Sequence, residues 1–343
     1  MKNKNNGVKI NIILWLFYFF VLFGFKNSGM EKQTDERLPY GIVIHGGAGV
    51  ILKENMLPGK ELMIKKSLQE VIDTCYEMLS NGCSALDVVT KAVVMLEDNP
   101  LFNAGKGSVL NSEGKVEMDA SIMDGSNKMA GSVAGVRYVK NPVLLAKEVM
   151  LHSNHVMLIG RGAEKFAKER GMKMMPEKYF HTPEREKHWK DAHTRGEIRL
   201  DHSNPQKFGT VGAVALDKQG NLAAATSTGG MTNKKYGRVG DSPVIGAGTY
   251  AENGVCAISC TGHGEFFIRN VVAYDITALI KYKNMTLEQA AKEVILHKLV
   301  DQKGDGGIIG IDPKGNLVAV FNTPGMYRAA KNSRQSWVKI YKD

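Results

Sequence analysis

An abrupt boundary constrains this sequence more than any other feature. From Arg161 to Lys207 the chain is rich in Lys, Glu and His and poor in β-branched residues. At Gly209-Thr210 it turns at once into an apolar strand, TVGAVAL (210–216). A long charged connector inside one domain needs a special reason. The boundary divides a first part, 38–209, from a second, 210–343, and both carry strand and helix signals.

In the first part, YGIVIH (40–45) reads as a buried strand running into Gly46-Gly47-Ala48-Gly49. Ile64, Leu68, Val71, Ile72, Cys75 and Leu79 recur with helical period over 61–81, and Asn81-Gly82 is a helix stop. Ser84-x-x-Asp87 caps a second helix through Leu96. Residues 132–138 and 155–159 read as strands, and 163–170 as a helical turn or two. About 171–209 is expected to be a flexible linker. In the second part, 210–216 and 222–226 flank the turn Asp217-Lys218-Gln219-Gly220-Asn221, and 308–312 and 317–321 flank Pro313-Lys314-Gly315-Asn316. A strand is expected at 254–260, and helices near 268–282 and 286–297. Paired hairpins with paired helices predict a layered α/β fold with antiparallel sheets.

The chain has 343 residues and a formal net charge of +10. Lys2, Lys4, Lys9 and Lys26 stand in residues 1–29 without an acid, and without them the charge is +6. Most of the remaining excess lies in the connector, so composition argues against a nucleic-acid partner. The basic start followed by the apolar run 10–25 has the build of a secretory signal. Export to the periplasm or outside, with cleavage near Asn27-Ser28-Gly29, is expected; an uncleaved membrane anchor is the alternative. Cys75, Cys83, Cys256 and Cys260 form no C-x-x-C pair and have no histidine at zinc-site spacing. Cys256 and Cys260, four apart in an apolar run, read as buried small residues, and no disulfide is established.

Glycines and hydroxyls gather at strand ends: Thr226-Ser227-Thr228-Gly229-Gly230, Gly237-Arg238-Val239-Gly240-Asp241-Ser242 and Thr261-Gly262-His263-Gly264-Glu265. Loops of this kind build small-molecule sites from backbone N–H groups and hydroxyls. The stretches IHGGAG (44–49), LEDNPLFNAGKGSVLN (96–111), MDASIMDG (118–125), GTVGAVALD (209–217), AAATSTGGMTNKKYGRVGDSPVIGAGTYA (223–251) and SCTGHGEFFIR (259–269) resemble the plant-type asparaginase/isoaspartyl peptidase family.

The resemblance implies a four-layer αββα fold of the N-terminal-nucleophile (Ntn) hydrolases. It also implies a precursor that cleaves itself between Gly209 and Thr210, giving an α subunit (38–209) and a β subunit (210–343), paired as an (αβ)2 dimer. Thr210 would be the nucleophile, with its freed α-amine as base. Thr228 would orient Thr210, and Asn103 would steady the site. Arg238 would grip a substrate α-carboxylate, Asp241 the α-ammonium, and Gly264 would let backbone approach. Thr261 and the N–H of Gly262 would form an oxyanion hole, while His263 is read as a loop residue. No cofactor is implied beyond a structural sodium ion held by the carbonyls of Leu96, Glu97, Asn99, Phe102, Ala104 and Lys106. The implied substrate is asparagine or a β-aspartyl dipeptide. A glycosylasparaginase, or an amino-acid-binding protein that keeps the 209–210 bond, are the alternatives.

Overall fold

The computed structural model describes residues 39–198 and 209–342. The expected signal or anchor, and the last ten residues before Gly209, lie outside the described residues. No described helix is long and apolar enough to cross a membrane.

Among the described residues, twelve strands form two sheets. They are β1 (Gly41–Gly49), β2 (Met118–Asp124), β3 (Ala130–Val136), β4 (Met157–Ile159), β5 (Val211–Leu216), β6 (Leu222–Thr228), β7 (Thr249–Glu252), β8 (Cys256–Gly262), β9 (Gly306–Ile311), β10 (Leu317–Phe321), β11 (Gly325–Asn332) and β12 (Ser336–Tyr341). The larger sheet runs β12-β11-β1-β5-β6-β2-β3-β4 and the smaller β10-β9-β8-β7. Pairing is antiparallel except at the edge, where β4 lies parallel to β3. The expectation of antiparallel sheets therefore holds apart from that one pair. Thr210 leads into β5, an inner strand of the larger sheet.

Helices cover both outer faces. α1 (Pro58–Ser80), α2 (Ala85–Glu97) and α3 (Pro142–His152) lie on the larger sheet. Their apolar faces (Ile64, Leu68, Val89, Val93, Val149 among them) bury Ile42, Ile44, Val211, Ala213 and Ala225. After α4 (Gly160–Glu169) and α5 (Pro183–Thr194) come α6 (Gly264–Asn270), α7 (Val272–Lys283) and α8 (Leu287–Lys292). Ile276, Leu287, Ala290 and Val294 pack with Cys256, Ile258 and Cys260 on the outer face of the smaller sheet. Alternate residues of the same strands (Val43, Val214, Leu216, Ala224, Ala257, Ile309, Ile311) fill the space between the sheets. This is the αββα order of layers. All four cysteines are free thiols.

Three local features depart from the sequence expectations. The connector is not loose throughout, because α5 occupies 183–194. Thr182 caps it by accepting from Arg185 N–H, Pro183 opens its first turn, and Glu184 and Glu186 suit the N-terminal end of the helix dipole. Its buried Arg185 donates from Nε to the carbonyl of Gly107 at 2.7 Å. The helix expected near 268–282 is two, α6 and α7, broken at Val271 with φ 48°. The hairpin β11–β12, which flanks β1, had no counterpart in the sequence reading.

Candidate active site

Register brings the hydroxyl-rich strand ends together. In the larger sheet Gly212 on β5 pairs with Thr226 on β6, which pairs with Ser121 on β2; one step further along, Thr228 pairs with Asp119. Thr210 therefore stands beside Thr228. Thr228 Oγ1 accepts from Thr210 Oγ1 at 3.1 Å and from Gly230 N–H at 3.0 Å. Asn103 pins that turn, donating from Nδ2 to the Gly230 carbonyl at 2.8 Å while its Oδ1 accepts from Val109 N–H. A cleft of about 330 Å³ opens over these groups, lined by Asn103, Gly209, Thr210, Thr228, Gly230, Met231, Arg238, Gly240, Asp241, Ser242 and Gly262.

Arg238 and Asp241 place opposite charges in that cleft. Glu265 holds Arg238 from the side: its two oxygens accept from Nε at 2.8 Å and Nη2 at 2.7 Å. The Nη1/Nη2 edge is left against Gly240 and Gly264. A Cβ at either glycine would stand 2.8 Å from a guanidinium nitrogen and push the guanidinium from this position. Burial raises the Glu265 carboxyl, but the bond and charge of Arg238 outweigh it and keep the pKa below its usual value. Asp241 is buried, and burial pushes its carboxyl up to about 6, against its own backbone N–H and the Arg238 charge. Its Oδ2 has no hydrogen-bond partner among the described residues. A cation would satisfy that oxygen.

Gly262 lines the cleft, whereas Thr261 is fully buried behind it, its Oγ1 accepting from Ala48 N–H at 3.3 Å. Gly264 stands over Arg238 and Asp241. His263 sits outside the lining, with Nε2 3.3 Å from Glu265. Gly209 lies directly on Gly47, whose φ of 111° and missing side chain permit the contact.

The profile of a family described as asparaginase matches residues 38–340. An isoaspartyl peptidase of Escherichia coli is 53% identical over 293 residues, covering 84% of this chain and 91% of that protein. One from Salmonella typhimurium is 52% identical over 293 residues, covering 84% and 94%. An isoaspartyl peptidase/L-asparaginase of Rattus norvegicus is 44% identical over 295 residues, covering 85% and 86%. The chain belongs to the asparaginase family. It is a hydrolase with the layered fold of the Ntn hydrolases, and its cleft brings the Thr210 strand end and the charged pair together.

Within this asparaginase-family fold the sequence expectations separate into two groups. Thr210, Thr228, Asn103, Arg238, Asp241, Gly262 and Gly264 converge on one cleft, with Thr261 one layer behind. The 96–106 loop lies beneath it, at the end of α2. The carbonyl of Glu97 is covered by Gly105, and that of Phe102 by Gly107, in contacts only glycine allows. The carbonyls of Asn99 and Ala104 each accept one backbone N–H and keep a second lone pair, whereas that of Leu96 accepts from both Asp98 and Asn99. The Lys106 ammonium stands 5.4 Å from the Tyr179 ring centroid. An oxygen-only set of this kind fits a hard monovalent cation. No cluster of His, Cys, Asp or Glu suited to a transition metal exists among the described residues. Glu97 has a second role that sequence did not suggest: its buried carboxyl, pushed up by burial to about 8, accepts from Ser227 Oγ at 2.7 Å beside Thr228. His45, Gly47, Glu265 and Ser259 were also missed. Gly47, in a run of four small residues, and Glu265, in a glycine-rich loop, carried a local signal.

Proposed function

We propose that the chain cleaves itself between Gly209 and Thr210, and that Thr210 then hydrolyses the side-chain amide of an aspartyl unit, in L-asparagine or in a β-aspartyl dipeptide. The observation that carries this reading is the Thr210–Thr228 hydroxyl pair in a cleft that also holds Arg238 and Asp241. A threonine hydroxyl needs a base beside it, and an unperturbed chain-terminal amine, with a pKa of roughly 7.7–8.0, is one. Cleavage frees that amine on the nucleophile's own residue.

The geometry supports a role for each residue. Glu265 occupies one edge of Arg238, so the substrate α-carboxylate takes the other, and the α-ammonium meets Asp241. The side-chain carbonyl is thereby aimed at Thr210. Its oxygen, negative in the tetrahedral intermediate, is received by Gly262 N–H and, after a shift away from Ala48, by Thr261. Thr228 orients the nucleophile and Asn103 fixes the turn behind it. A β-aspartyl ester forms on Thr210 as the amine leaves, and water hydrolyses it. Carbonyls of Leu96, Glu97, Asn99, Phe102, Ala104 and Lys106 would hold a sodium ion, which stiffens the loop bearing Asn103 and takes no part in the chemistry. Assembly as (αβ)2 and export through the N-terminal segment complete the reading.

Comparing a β-aspartyl dipeptide with its analogue lacking the α-ammonium tests the reading. A site built around that charge rejects the analogue on the order of 10³-fold or more in kcat/KM. Equal hydrolysis of the two contradicts it, as does a cleaved protein that hydrolyses neither the dipeptide nor L-asparagine.

A further inference from the structure

Between Thr210 and the apolar interior lies a row of polar residues that the reaction as drawn does not use. His45 on β1 pairs with Gly212 on β5, Gly212 with Thr226, and Thr226 with Ser121; on the smaller sheet Thr249 on β7 pairs with Ser259 on β8. Their side chains meet between the sheets. His45 Nδ1 is 3.0 Å from the Thr210 carbonyl oxygen and Nε2 is 3.0 Å from Ser259 Oγ. Ser259 Oγ is 2.7 Å from Thr226 Oγ1, which accepts from Thr249 Oγ1 at 2.6 Å. Ser121 Oγ lies 2.7 Å from Thr249 Oγ1 and 2.6 Å from the carbonyl of Ser242, the residue after Asp241.

We propose that His45 is a positioning residue for the Thr210 reaction, and that Ser259, Thr226, Thr249 and Ser121 connect it to the backbone of the Asp241 loop. The inference rests on the assignment of Thr210 as nucleophile. A carbonyl only accepts, so Nδ1 carries the hydrogen that holds Thr210. Burial pushes the imidazole down to about 3 and keeps it uncharged, so Nε2 must accept, and Ser259 must donate to it. Thr226 has one hydrogen for Ser259 Oγ, 2.7 Å away, and the Gly248 carbonyl, 3.2 Å away; with the Ser259 hydrogen spent on Nε2, Thr226 gives its own to Ser259 and accepts from Thr249. Ser121 has one hydrogen for two acceptors, Thr249 and the Ser242 carbonyl. The chain therefore has a fixed direction at the Thr210 end and a choice at the Asp241 end.

Two features separate this arrangement from ordinary packing. Gly212 stands directly opposite His45, and a Cβ there would collide with both the imidazole and Ser259 Oγ. Strand interiors disfavour glycine, and here its bareness is what lets the ring cross to the second sheet. The bond also falls on the backbone of the reacting residue itself. Holding the Thr210 carbonyl fixes the rotation that sets where its hydroxyl and amine point.

The test uses the full chain carrying His45→Asn, His45→Ala, Ser259→Ala or Thr249→Val. Each is matured to completion by mass, and rates are normalised to the fraction beginning at Thr210. Misplacing a reacting group by about 1 Å costs on the order of 10²-fold in rate, so His45→Ala is expected to lose about that much kcat with KM within about twofold. His45→Asn keeps an N–H near Nδ1 and should recover part of the loss, and Ser259→Ala should fall between the two. Thr249→Val, at the far end, should raise KM more than it lowers kcat. Wild-type kcat per cleaved chain in Ser259→Ala and His45→Asn, whatever their melting temperatures, would overturn the proposal, as would a Thr249→Val enzyme unchanged in both constants. If His45→Ala does not fold, the other three variants decide the matter. A wild-type protein that neither cleaves itself nor hydrolyses the dipeptide removes the Thr210 assignment instead, a result distinct from an active wild type matched by its variants.

Discussion

Two rows of the inter-sheet layer, one step apart on the same six strands, have opposite chemistry. In one, Val43, Val214, Ala224 and Met123 are cross-strand partners and face Ala251 and Ala257. In the next, the partners are His45, Gly212, Thr226 and Ser121, facing Thr249 and Ser259. Moving two residues keeps a side chain on the same face, so neither burial nor strand pairing accounts for the change. Nearly all of these residues are fully buried. The apolar row holds the sheets together without directionality. The polar row holds them through hydrogen bonds that end on Thr210 and beside Asp241. The fold thus passes from a cohesive layer to a directional one just before the site, where a small displacement matters most.

The sharpest break in this comparison would come from exchanging the rows' chemistry. Val214→Asn sets an amide among Val43, Ala224 and Ala257, and should cost about 3 kcal/mol of stability with no change in kcat per folded, cleaved chain. Thermal denaturation beside steady-state kinetics would read both. Next in size is Arg238→Lys, which keeps the charge but loses the planar fork that Glu265 and a carboxylate share. A rise in KM equivalent to about 2 kcal/mol is expected, with little change in melting temperature.

Acid should act on Asp241 alone of the clamp pair. Its carboxyl titrates near 6, raised by burial. The carboxylate is the form that binds an ammonium, so affinity is present above that value and lost as pH falls through it. Binding of L-aspartate, the product, measured by calorimetry should weaken by up to about tenfold per pH unit below 6, or 1.4 kcal/mol. A pH-independent affinity between 5 and 7 would remove Asp241 from the clamp. The smallest effect belongs to Thr226→Val, which trades a hydroxyl for a methyl inside the polar row. Stability should fall by about 1 kcal/mol, the low end for stranding the buried hydroxyls of Ser259 and Thr249, while kcat falls severalfold. The reverse pattern would erase the distinction between the rows.

Much of this was legible before any coordinates. The hairpins at 210–226 and 308–321, the capped helix after Ser84 and the loop residues Thr228, Arg238 and Asp241 all carry local or motif signals. α5 was legible too: Thr182-Pro183-Glu184 is an N-terminal cap and first turn, but the high charge of the connector obscured it. What stayed hidden depends on distant partners. His45 sits in a strand-like run, and its two contacts are 165 and 214 residues away. The β11–β12 hairpin is set by pairing with β1 from the far end of the chain. Gly209 on Gly47 is likewise a contact that no window of sequence contains.

The central claim is that Thr210 becomes a chain terminus and then the nucleophile. Intact mass with N-terminal sequencing, on the purified protein and on Thr210→Ala, tests it most directly. The account predicts two chains in the first, one beginning Thr-Val-Gly-Ala, and a single uncut, inactive chain in the second. A wild-type chain that stays whole after prolonged incubation while folded, or a Thr210→Ala protein that cuts at the same bond, would contradict it.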